Sequence, residues 1–252
     1  MVNGDNGLET VRVLLGEGLT IDSAADRAGI PLDVVRAWVL DGLELLRETD
    51  GSSHGSEGFC PCVRDVPEEP YAYLLGLYLG DGNITRRRNE VYKLRIFQDE
   101  KYPSLIRQCV IAMHWVIQNR VAVVQQPGCK EIYSLSKHWP CLLPQHGPGR
   151  KHERSIILEP WQRLVAIERH PHLLLRGLIH SDGCRYLKRV EAKDKEYVYT
   201  RYQFTNRSAD IRRIFTDGCD RLGVEWREYL YNVAISRRRS VEKLDRFIGP
   251  KS

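Results

Sequence analysis

The chain has 252 residues, of which 42% are hydrophobic and 28% are charged, and its formal net charge is +5. This composition suits a folded protein with a buried core and excludes collagen-like, disordered and coiled-coil chains. No run approaches the roughly 18 consecutive apolar residues of a membrane helix, and residues 1–10 lack the pattern of a signal peptide. We therefore expect a cytoplasmic protein with no membrane partner, whose seven dispersed cysteines are reduced thiols.

The charge is divided unevenly along the chain. Residues 1–70 hold five Lys and Arg against fourteen Asp and Glu, a net of −9, whereas residues 71–252 hold thirty-three against nineteen, a net of +14. A basic region of this size is typical of proteins that bind nucleic acid, although basic residues can also merely solubilise a surface. The division predicts at least two regions with different partners.

Residues 1–47 are predicted to form a small helical domain. Apolar residues recur at helical spacing, and Ala25, Gly29 and Val35 resemble a helix-turn-helix pattern in which Gly29 occupies a turn that needs a positive φ. The recognition helix of this pattern offers only Arg36 to DNA, and its surroundings are acidic. Contact with DNA, a protein partner and a purely structural role all stay open for this domain.

Residues 48–70 are rich in Gly, Ser, Pro and acidic side chains, and are predicted to be a linker. Cys60 and Cys62 are one residue apart there, and His54 is the only nearby third ligand, so two inert thiols are favoured over a structural zinc site. A second group is interrupted by prolines, matches no common zinc spacing and is likewise not expected to bind zinc: His138, Cys141, His146 and His152.

Beyond the linker the chain repeats itself. Residues 74–82 read LLGLYLGDG and residues 175–183 read LRGLIHSDG, each with Gly third, a small residue seventh, Asp eighth and Gly ninth. A polar hairpin, an amphipathic helix and a further strand pair follow each nonapeptide. The duplication predicts two structural repeats, which we assign to residues 71–159 and 160–252.

The spacing within each nonapeptide has a physical reason. Positions three and seven lie on one face of a helix, so small residues there let two helices pack backbone to backbone: Gly76, Gly80, Gly177 and Ser181. The aspartates that end the helices, Asp81 and Asp182, then approach each other at the negative ends of both helix dipoles. Paired carboxylates repel each other unless a cation lies between them, and hard oxygen ligands suit Mg²⁺ or another divalent cation. The alternative is that each Asp-Gly pair is an ordinary turn.

Both nonapeptides resemble the LAGLIDADG motif, and residues 71–252 resemble the LAGLIDADG homing endonucleases in their single-chain, two-motif form. The resemblance implies an α+β fold of two pseudo-symmetric αββαββα repeats that form a DNA saddle, in which the two aspartates bind catalytic metals. It also implies a basic residue near the metals, which would be Lys137 and Arg237, although a phosphate contact explains both equally well. The sequence departs from the motif at its sixth position, which holds Leu79 and His180 instead of an acid.

The hairpins provide the predicted DNA-binding surface. Basic and polar side chains alternate with apolar ones along one strand of each hairpin, which places Lys93, Arg95, Arg201 and Gln203 where they can meet base edges. Further basic residues belong to the same hairpins. Arg86, Arg87 and Arg88 crowd the tip of the first, where they are expected mostly to contact phosphates, and Lys188 and Arg189 stand near the start of the second. Any one of these residues could equally be a solvated surface residue.

The resemblance, together with these patterns, implies a monomeric, divalent-metal-dependent, site-specific double-strand DNA endonuclease of LAGLIDADG type. The alternative is a non-catalytic DNA-binding regulator, because the resemblance extends to bacterial transcription factors that join this fold to a helix-turn-helix. The two aspartates favour the enzyme, whereas the fused acidic domain and the missing sixth-position acids favour the regulator. An RNA maturase is a third alternative.

Overall fold

The computed structural model describes residues 60–192, 195–249 and 251, together with 10–11, 13–14, 21–32 and 34–35 of the N-terminal domain. In that domain, helix α1 (Ile21–Ala28) is followed by Gly29 with a φ of +64°, which confirms the predicted turn. One buried cluster joins the domain to the segment that leads into the second motif: Val11, Ala24, Ala25, Val35 and Leu164. Arg36 lies outside the described residues, so the helix-turn-helix assignment stays a prediction.

The chain becomes regular before the predicted linker ends. Helix α2 (Pro61–Arg64) and the first turn of α3 (Glu68–Asp81) occupy residues that the sequence assigned to the linker, and Val63 is buried in the main core. Pro61 stands in the first turn of α2, where a missing N–H costs nothing. A four-residue helix is too short to show an apolar period, so the sequence did not reveal it. Residues 48–59 lie outside the described residues.

Each repeat has the element order αββαββα. The first contains α3, β1 (Gly82–Arg86), β2 (Tyr92–Asp99), α4 (Pro103–Ile117), β3 (Val121–Gln126), β4 (Cys129–Ser136) and α5 (Trp139–Leu142). Helix α6 (Pro160–Arg163) and a π-helix (Leu164–Arg169) join the repeats. The second contains α7 (Pro171–Asp182), β5 (Gly183–Ala192), β6 (Lys195–Thr205), α8 (Ala209–Arg221), β7 (Arg227–Tyr229), β8 (Asn232–Ile235) and α9 (Arg238–Asp245). This topology confirms the α+β fold and the two-repeat architecture.

Each repeat builds one antiparallel four-stranded sheet. The strand orders are β1-β2-β4-β3 and β5-β6-β8-β7, so the two sheets have the same topology. Leu94 and Ile96 of β2 are buried, as are Tyr202 and Phe204 of β6, whereas the residues between them face outward. The period of two therefore gives each sheet one core face and one outer face, as the sequence predicted.

Helices α3 and α7 pack against each other between the two sheets. Residues 71–79 of α3 are all buried, which explains why this helix is apolar on every side. Helices α4 and α8 complete the core, and in the second repeat Phe215 of α8 stacks on Phe204 at a ring-centroid distance of 4.4 Å. Among the described residues, no helix is long and apolar enough to cross a membrane.

Candidate metal centre and DNA-binding surface

The small residues of the two motifs lie at the contact between α3 and α7. A Cβ atom added to Gly76 would stand 2.5 Å from the carbonyl oxygen of Leu174 and 2.9 Å from the Cα of Gly177. Gly80 faces Ser181, whose hydroxyl donates to the carbonyl of Gly177 at 3.0 Å. Because Gly76 and Gly177 have no side chains, the two backbones can approach closely, and a Cβ atom at either position would clash with the facing backbone.

This packing brings Asp81 and Asp182 together at the carboxyl ends of α3 and α7. A Cβ atom on Gly80, the residue before Asp81, would lie 3.2 Å from Oδ2 of Asp182. Burial, followed by the negative charge of Asp182, raises the pKa of Asp81 to about 6. Burial also raises the pKa of Asp182. The two carboxylates therefore form a half-buried, mutually repelling pair, and each helix adds the negative end of its dipole.

Two lysines that the sequence analysis did not single out lie beside these aspartates. The ammonium of Lys151 donates to the last carbonyls of α3: to Tyr78, to Leu79 at 3.1 Å and to Gly80 at 2.9 Å. The ammonium of Lys251 donates to the carbonyl of Gly183 at 2.5 Å, just beyond the end of α7. Each lysine thus neutralises the negative end of one motif helix.

The lysines and the aspartates are electrostatically coupled. The charges of Lys151 and Lys251 each lower the pKa of Asp81 and of Asp182, which opposes the effect of burial. Burial lowers the pKa of Lys151 to about 8, and the two aspartates oppose that change. One signal in the sequence could have found the lysines: Lys151 follows Asp81 by 70 residues and Lys251 follows Asp182 by 69.

Gln98 and Asn206 occupy equivalent positions near the motif ends. Gly82 pairs with Ile96 and Gly183 pairs with Phe204, so Gln98 and Asn206 each lie two residues beyond the matching strand position. Asn206 donates to Oδ2 of Asp182 at 2.6 Å. Gln98 is 4% exposed, and within the described part of the chain its amide nitrogen has no hydrogen-bond partner. The two halves of the site therefore differ in their amide contacts.

The sixth motif position points away from the aspartate pair. Leu79 and His180 are both buried, and His180 lies between the hydroxyl of Tyr73 at 2.9 Å and the carbonyl of Ile248 at 2.9 Å. Burial lowers the pKa of His180 to about 4, so the neutral ring accepts from Tyr73 through Nδ1 and donates to Ile248 through Nε2. Because these side chains pack in the core, the absence of acids there leaves the carboxylate pair intact.

On the outer face of the first sheet, Arg95 is more available than Lys93. The side chain of Lys93 is 14% exposed, and its ammonium forms an ion pair with Glu131 at 2.6 Å. Arg95 is half-buried and donates to the side-chain oxygen of Asn83 at 2.9 Å, which leaves most of its guanidinium donors unused. The alternation predicted for these two residues is observed, but their ionic environments differ.

The outer face of the second sheet carries Arg201 and Gln203. The amide nitrogen of Gln203 donates to Oδ1 of Asn232 at 3.1 Å, and both Gln203 and Arg201 are half-buried. Strand pairing sets Lys188 opposite Tyr199, within the strand and on this same outer face. Arg189 points to the opposite face and forms an ion pair with Glu196 at 3.1 Å. Lys188 and Arg189 therefore both lie within β5, the first strand of the second hairpin, and point to opposite faces of the sheet.

The remaining predicted residues lie in exposed positions. Arg86 pairs with Glu90 across the tip of the first hairpin, and Arg87 and Arg88 are exposed. Lys137 is exposed just after β4. Arg237 is exposed and approaches Glu225 at 3.4 Å. The lysines that contact the ends of the motif helices are Lys151 and Lys251, not the pair expected from the motif pattern.

The second histidine and cysteine group divides in the structure. Nδ1 of His146 donates to the carbonyl of Leu143 at 3.2 Å, and His152 lies 3.8 Å from Glu153. His138 and Cys141 instead face Cys60 and Cys62, which precede the first motif by many residues. His54 lies outside the described residues. The two groups that the sequence treated separately therefore contribute two residues each to a single cluster.

Several solved LAGLIDADG structures are similar to this chain. No protein-family model and no curated protein sequence matches the chain. The chain is similar to the homing endonuclease I-DmoI in complex with its target DNA in the presence of manganese, with 16% identity, a TM-score of 0.47, and coverage of 73% of this chain and 95% of that one.

Two further solved structures show the same kind of likeness. The LAGLIDADG meganuclease I-AabMI bound to uncleaved DNA is 12% identical, with a TM-score of 0.44 and coverage of 71% of this chain and 82% of that one. The N-terminal LAGLIDADG domain of DUF199/WhiA is 11% identical, with a TM-score of 0.44 and coverage of 84% and 92%. These likenesses concern the LAGLIDADG fold alone.

Proposed function

We propose that the chain is a site-specific double-strand DNA endonuclease that depends on divalent metal ions held by Asp81 and Asp182. The observation that carries the proposal is the pairing of these carboxylates at the ends of two helices packed through glycine. A structural role for the pair is unfavourable, because each half-buried charge raises the cost of ionising the other. Such an arrangement is stabilised when a cation binds, which is what a metal centre requires.

The donor set suits a hard divalent cation. Within the described residues, the carboxylate of Asp81 has no hydrogen-bond partner, and that of Asp182 accepts from Asn206 alone, so oxygen lone pairs stay free on both. Ions bound there would polarise a phosphodiester and activate water. The ammonium groups of Lys151 and Lys251 are held beside the carboxylates by helix-end carbonyls, where they stabilise negative charge that develops on a phosphate.

We propose that the outer faces of the two sheets bind the DNA. Arg95, Arg201 and Gln203 stand on strands whose opposite faces are buried, so their backbones are held rigidly and their side chains can meet base edges at a defined geometry. Arg87, Arg88 and Lys188 are exposed cations suited to phosphate contacts. We assign Lys137 and Arg237 to phosphate contacts as well, because their exposed positions suit the backbone of a duplex better than the aspartate pair.

A single chain is expected to suffice for this function. Both aspartates and both lysines come from the same polypeptide, so a monomer holds the complete site. The acidic N-terminal domain packs on the segment before the second motif through Leu164 and adds little positive charge for DNA. We therefore assign it to contact with a protein partner or to support of the second repeat.

The second candidate function is a DNA-binding regulator without catalysis. The observation that favours it is the fused acidic helical domain, which a free-standing nuclease does not need. Both candidates predict DNA binding by residues 71–252, so binding alone does not separate them. Cleavage that depends on the aspartate pair separates them directly.

The test is to incubate the full chain with a library of randomised duplex DNA, with Mg²⁺ or with EDTA, and to sequence bound and cut ends. On the selected site, Asp81→Asn and Asp182→Asn should each abolish cleavage or reduce it to nicking, while affinity stays largely intact because the basic surface is unchanged. Asp65→Asn, at an exposed aspartate before α3, is the matched control and should cut normally. Normal double-strand cutting by either motif variant contradicts the assignment, and binding without any cutting by the native chain favours the regulator.

A further inference from the structure

Four metal-binding side chains meet outside the aspartate centre. Cys60, Cys62, His138 and Cys141 each direct one ligand atom to a common point, and these atoms all lie within 4.8 Å of one another. The sulfur of Cys60 is 3.1 Å from Nδ1 of His138 and 2.9 Å from the sulfur of Cys62. Cys60 and Cys62 come from the segment before the first repeat and His138 and Cys141 from the end of that repeat, where α2 faces α5.

The separations fit a tetrahedral zinc ion. With Zn–S bonds of about 2.3 Å and a Zn–N bond of about 2.0 Å, ligand atoms in a tetrahedron stand about 3.5 to 3.8 Å apart. The Cys60 sulfur lies 2.9 Å and 3.1 Å from two of the other ligand atoms, and no pair of ligand atoms is more than 4.8 Å apart. Shifts of roughly 1 Å in side-chain position are enough to reach ideal geometry. Three thiolates and one imidazole form a common ligand set of structural zinc.

The backbone around the cluster is already ordered by the fold. The backbone carbonyl of Cys60 accepts from the N–H of Val63 at 2.9 Å, and that of His138 accepts from the N–H of Leu142 at 3.1 Å, so each pair of ligands lies on one helical turn. The N–H of His138 also donates to Oγ of Ser136 at 3.0 Å. Val63 and Leu142 are buried in the main core, which holds both turns in place.

We propose that Cys60, Cys62, His138 and Cys141 bind a structural zinc ion that ties the segment before the first motif helix to the end of the first repeat. Four protein ligands fill a tetrahedral shell, so the ion has no open position for a substrate or for water and serves stability. The site joins residues 78 positions apart along the chain. It is separate from the aspartate pair, and it does not depend on the proposed nuclease activity.

The site was not predictable from the sequence, because neither of its two ligand pairs has the spacing of a common zinc motif. The Cys-x-Cys pair is shorter than the usual Cys-x₂₋₄-Cys knuckle, and His-x₂-Cys stands among prolines in a different part of the chain. Each short turn supplies only two ligands. The fold provides the missing half by placing α2 against α5, which sequence spacing cannot show.

The first experiment measures zinc in the native chain. The full chain is purified under reducing conditions without chelators, and metal content is determined by mass spectrometry against protein concentration. We expect one zinc per chain. Replacement of zinc by Co²⁺ should give the strong visible bands of tetrahedral cobalt and a near-ultraviolet band from thiolate-to-cobalt charge transfer. A reduced native chain that neither retains nor takes up zinc, or a weak octahedral cobalt spectrum, overturns the proposal.

Variants then locate the ion. Cys60→Ser and Cys141→Ser, one from each turn, should each lose the zinc, whereas Cys129→Ser should keep it because Cys129 lies in the β3–β4 hairpin. The Asp81→Asn/Asp182→Asn double variant should also keep it. Zinc loss from that double variant or from Cys129→Ser contradicts the assignment. If the ligand variants fail to fold, the cobalt spectrum of the native chain still decides, and a Cys60–Cys62 disulfide in place of metal also refutes it.

Discussion

The close approach of the two motif helices makes Gly76 a position where a single added methyl group should destabilise the protein. In Gly76→Ala the new Cβ would lie 2.5 Å from the carbonyl oxygen of Leu174, which falls short of an ordinary contact of 3.4 Å by about 0.9 Å. The 2.8 Å approach to the N–H of Leu178 is also to backbone, so no side-chain rotation relieves the clash. The helices must therefore separate by nearly 1 Å.

The cost follows from the packing that this separation loosens. A gap of 0.5–1 Å forfeits roughly a quarter to a half of each dispersion contact across an interface, and overpacking a core costs about 1–3 kcal/mol. Alanine recovers about 1 kcal/mol of helix propensity relative to glycine. Because the clash is with backbone atoms, we take the upper end of that cost, about 3 kcal/mol, and subtract the gain in helix propensity. Gly76→Ala should therefore lower the free energy of unfolding by about 2 kcal/mol, which corresponds to a fall in Tm of about 4–8 °C for a protein of this size.

Equilibrium urea unfolding and calorimetry test this expectation. The matched control is Gly218→Ala in α8, where a Cβ would meet only the end of the flexible Leu175 side chain, at 3.1 Å. That variant should lie within about 1 kcal/mol of the native chain, because helix propensity offsets a small adjustment. Equal stability of Gly76→Ala and Gly218→Ala would refute the argument that backbone contact sets the spacing of the helices. Separation of the helices should also weaken divalent-metal binding, which calorimetric titration measures.

Three further outcomes follow from individual side chains. The pKa of His180 is about 4 in the folded chain, against about 6.5 in the unfolded chain. The free energy of unfolding should therefore fall by roughly 3 kcal/mol as the pH drops from 6.5 to 4, because the unfolded chain takes up the proton first. Urea titrations of His180→Gln should lack this loss. Arg95→Ala should cost about 1–3 kcal/mol on the selected DNA site and relax preference at one or two base pairs, whereas Arg87→Ala should weaken all sequences alike; equal loss on every single-base variant would show that Arg95 does not read sequence. Lys251→Met should raise the pKa of Asp182, as followed by carboxyl NMR titration, because it removes a charge that lowers it; an unchanged pKa would show that the ammonium is not close.

The elements with a strong period were predictable from sequence alone. The alternation along β2 and β6 follows from the burial of Leu94, Ile96, Tyr202 and Phe204, and it is visible in the sequence because one face of each strand is apolar. The duplicated motif predicted two helices that end in aspartate, because small residues at matching positions have no other evident use. These features depend on local pattern, so a single chain was enough to recognise them.

Features that depend on contacts between distant segments were not predictable in the same way. Lys151 lies in a 3₁₀ turn, Lys151–Glu153, and Lys251 lies near the chain end, and neither stands in a periodic pattern that sets its direction. Lys137 and Arg237 follow serines at matching points of the two copies, which made them the more visible candidates. Lys151 and Lys251 contact the helix ends because their segments fold back over the carboxyl ends of α3 and α7.

The two motifs are matched in sequence, but the environments of Asp81 and Asp182 differ. Asp182 accepts a hydrogen bond from Asn206, which lowers its pKa and opposes burial, whereas the equivalent Gln98 has a buried amide nitrogen without a partner in the described chain. Asp81 carries the additional cost of the charge on Asp182. The repulsion between two like charges is relieved when one carboxylate takes up a proton, and we expect that proton at Asp81, the less stabilised member of the pair. The two repeats therefore contribute the same carboxylate in unequal environments. The centre is pseudo-symmetric in its backbone, but the pKa values of its two carboxyl groups are shifted by different causes.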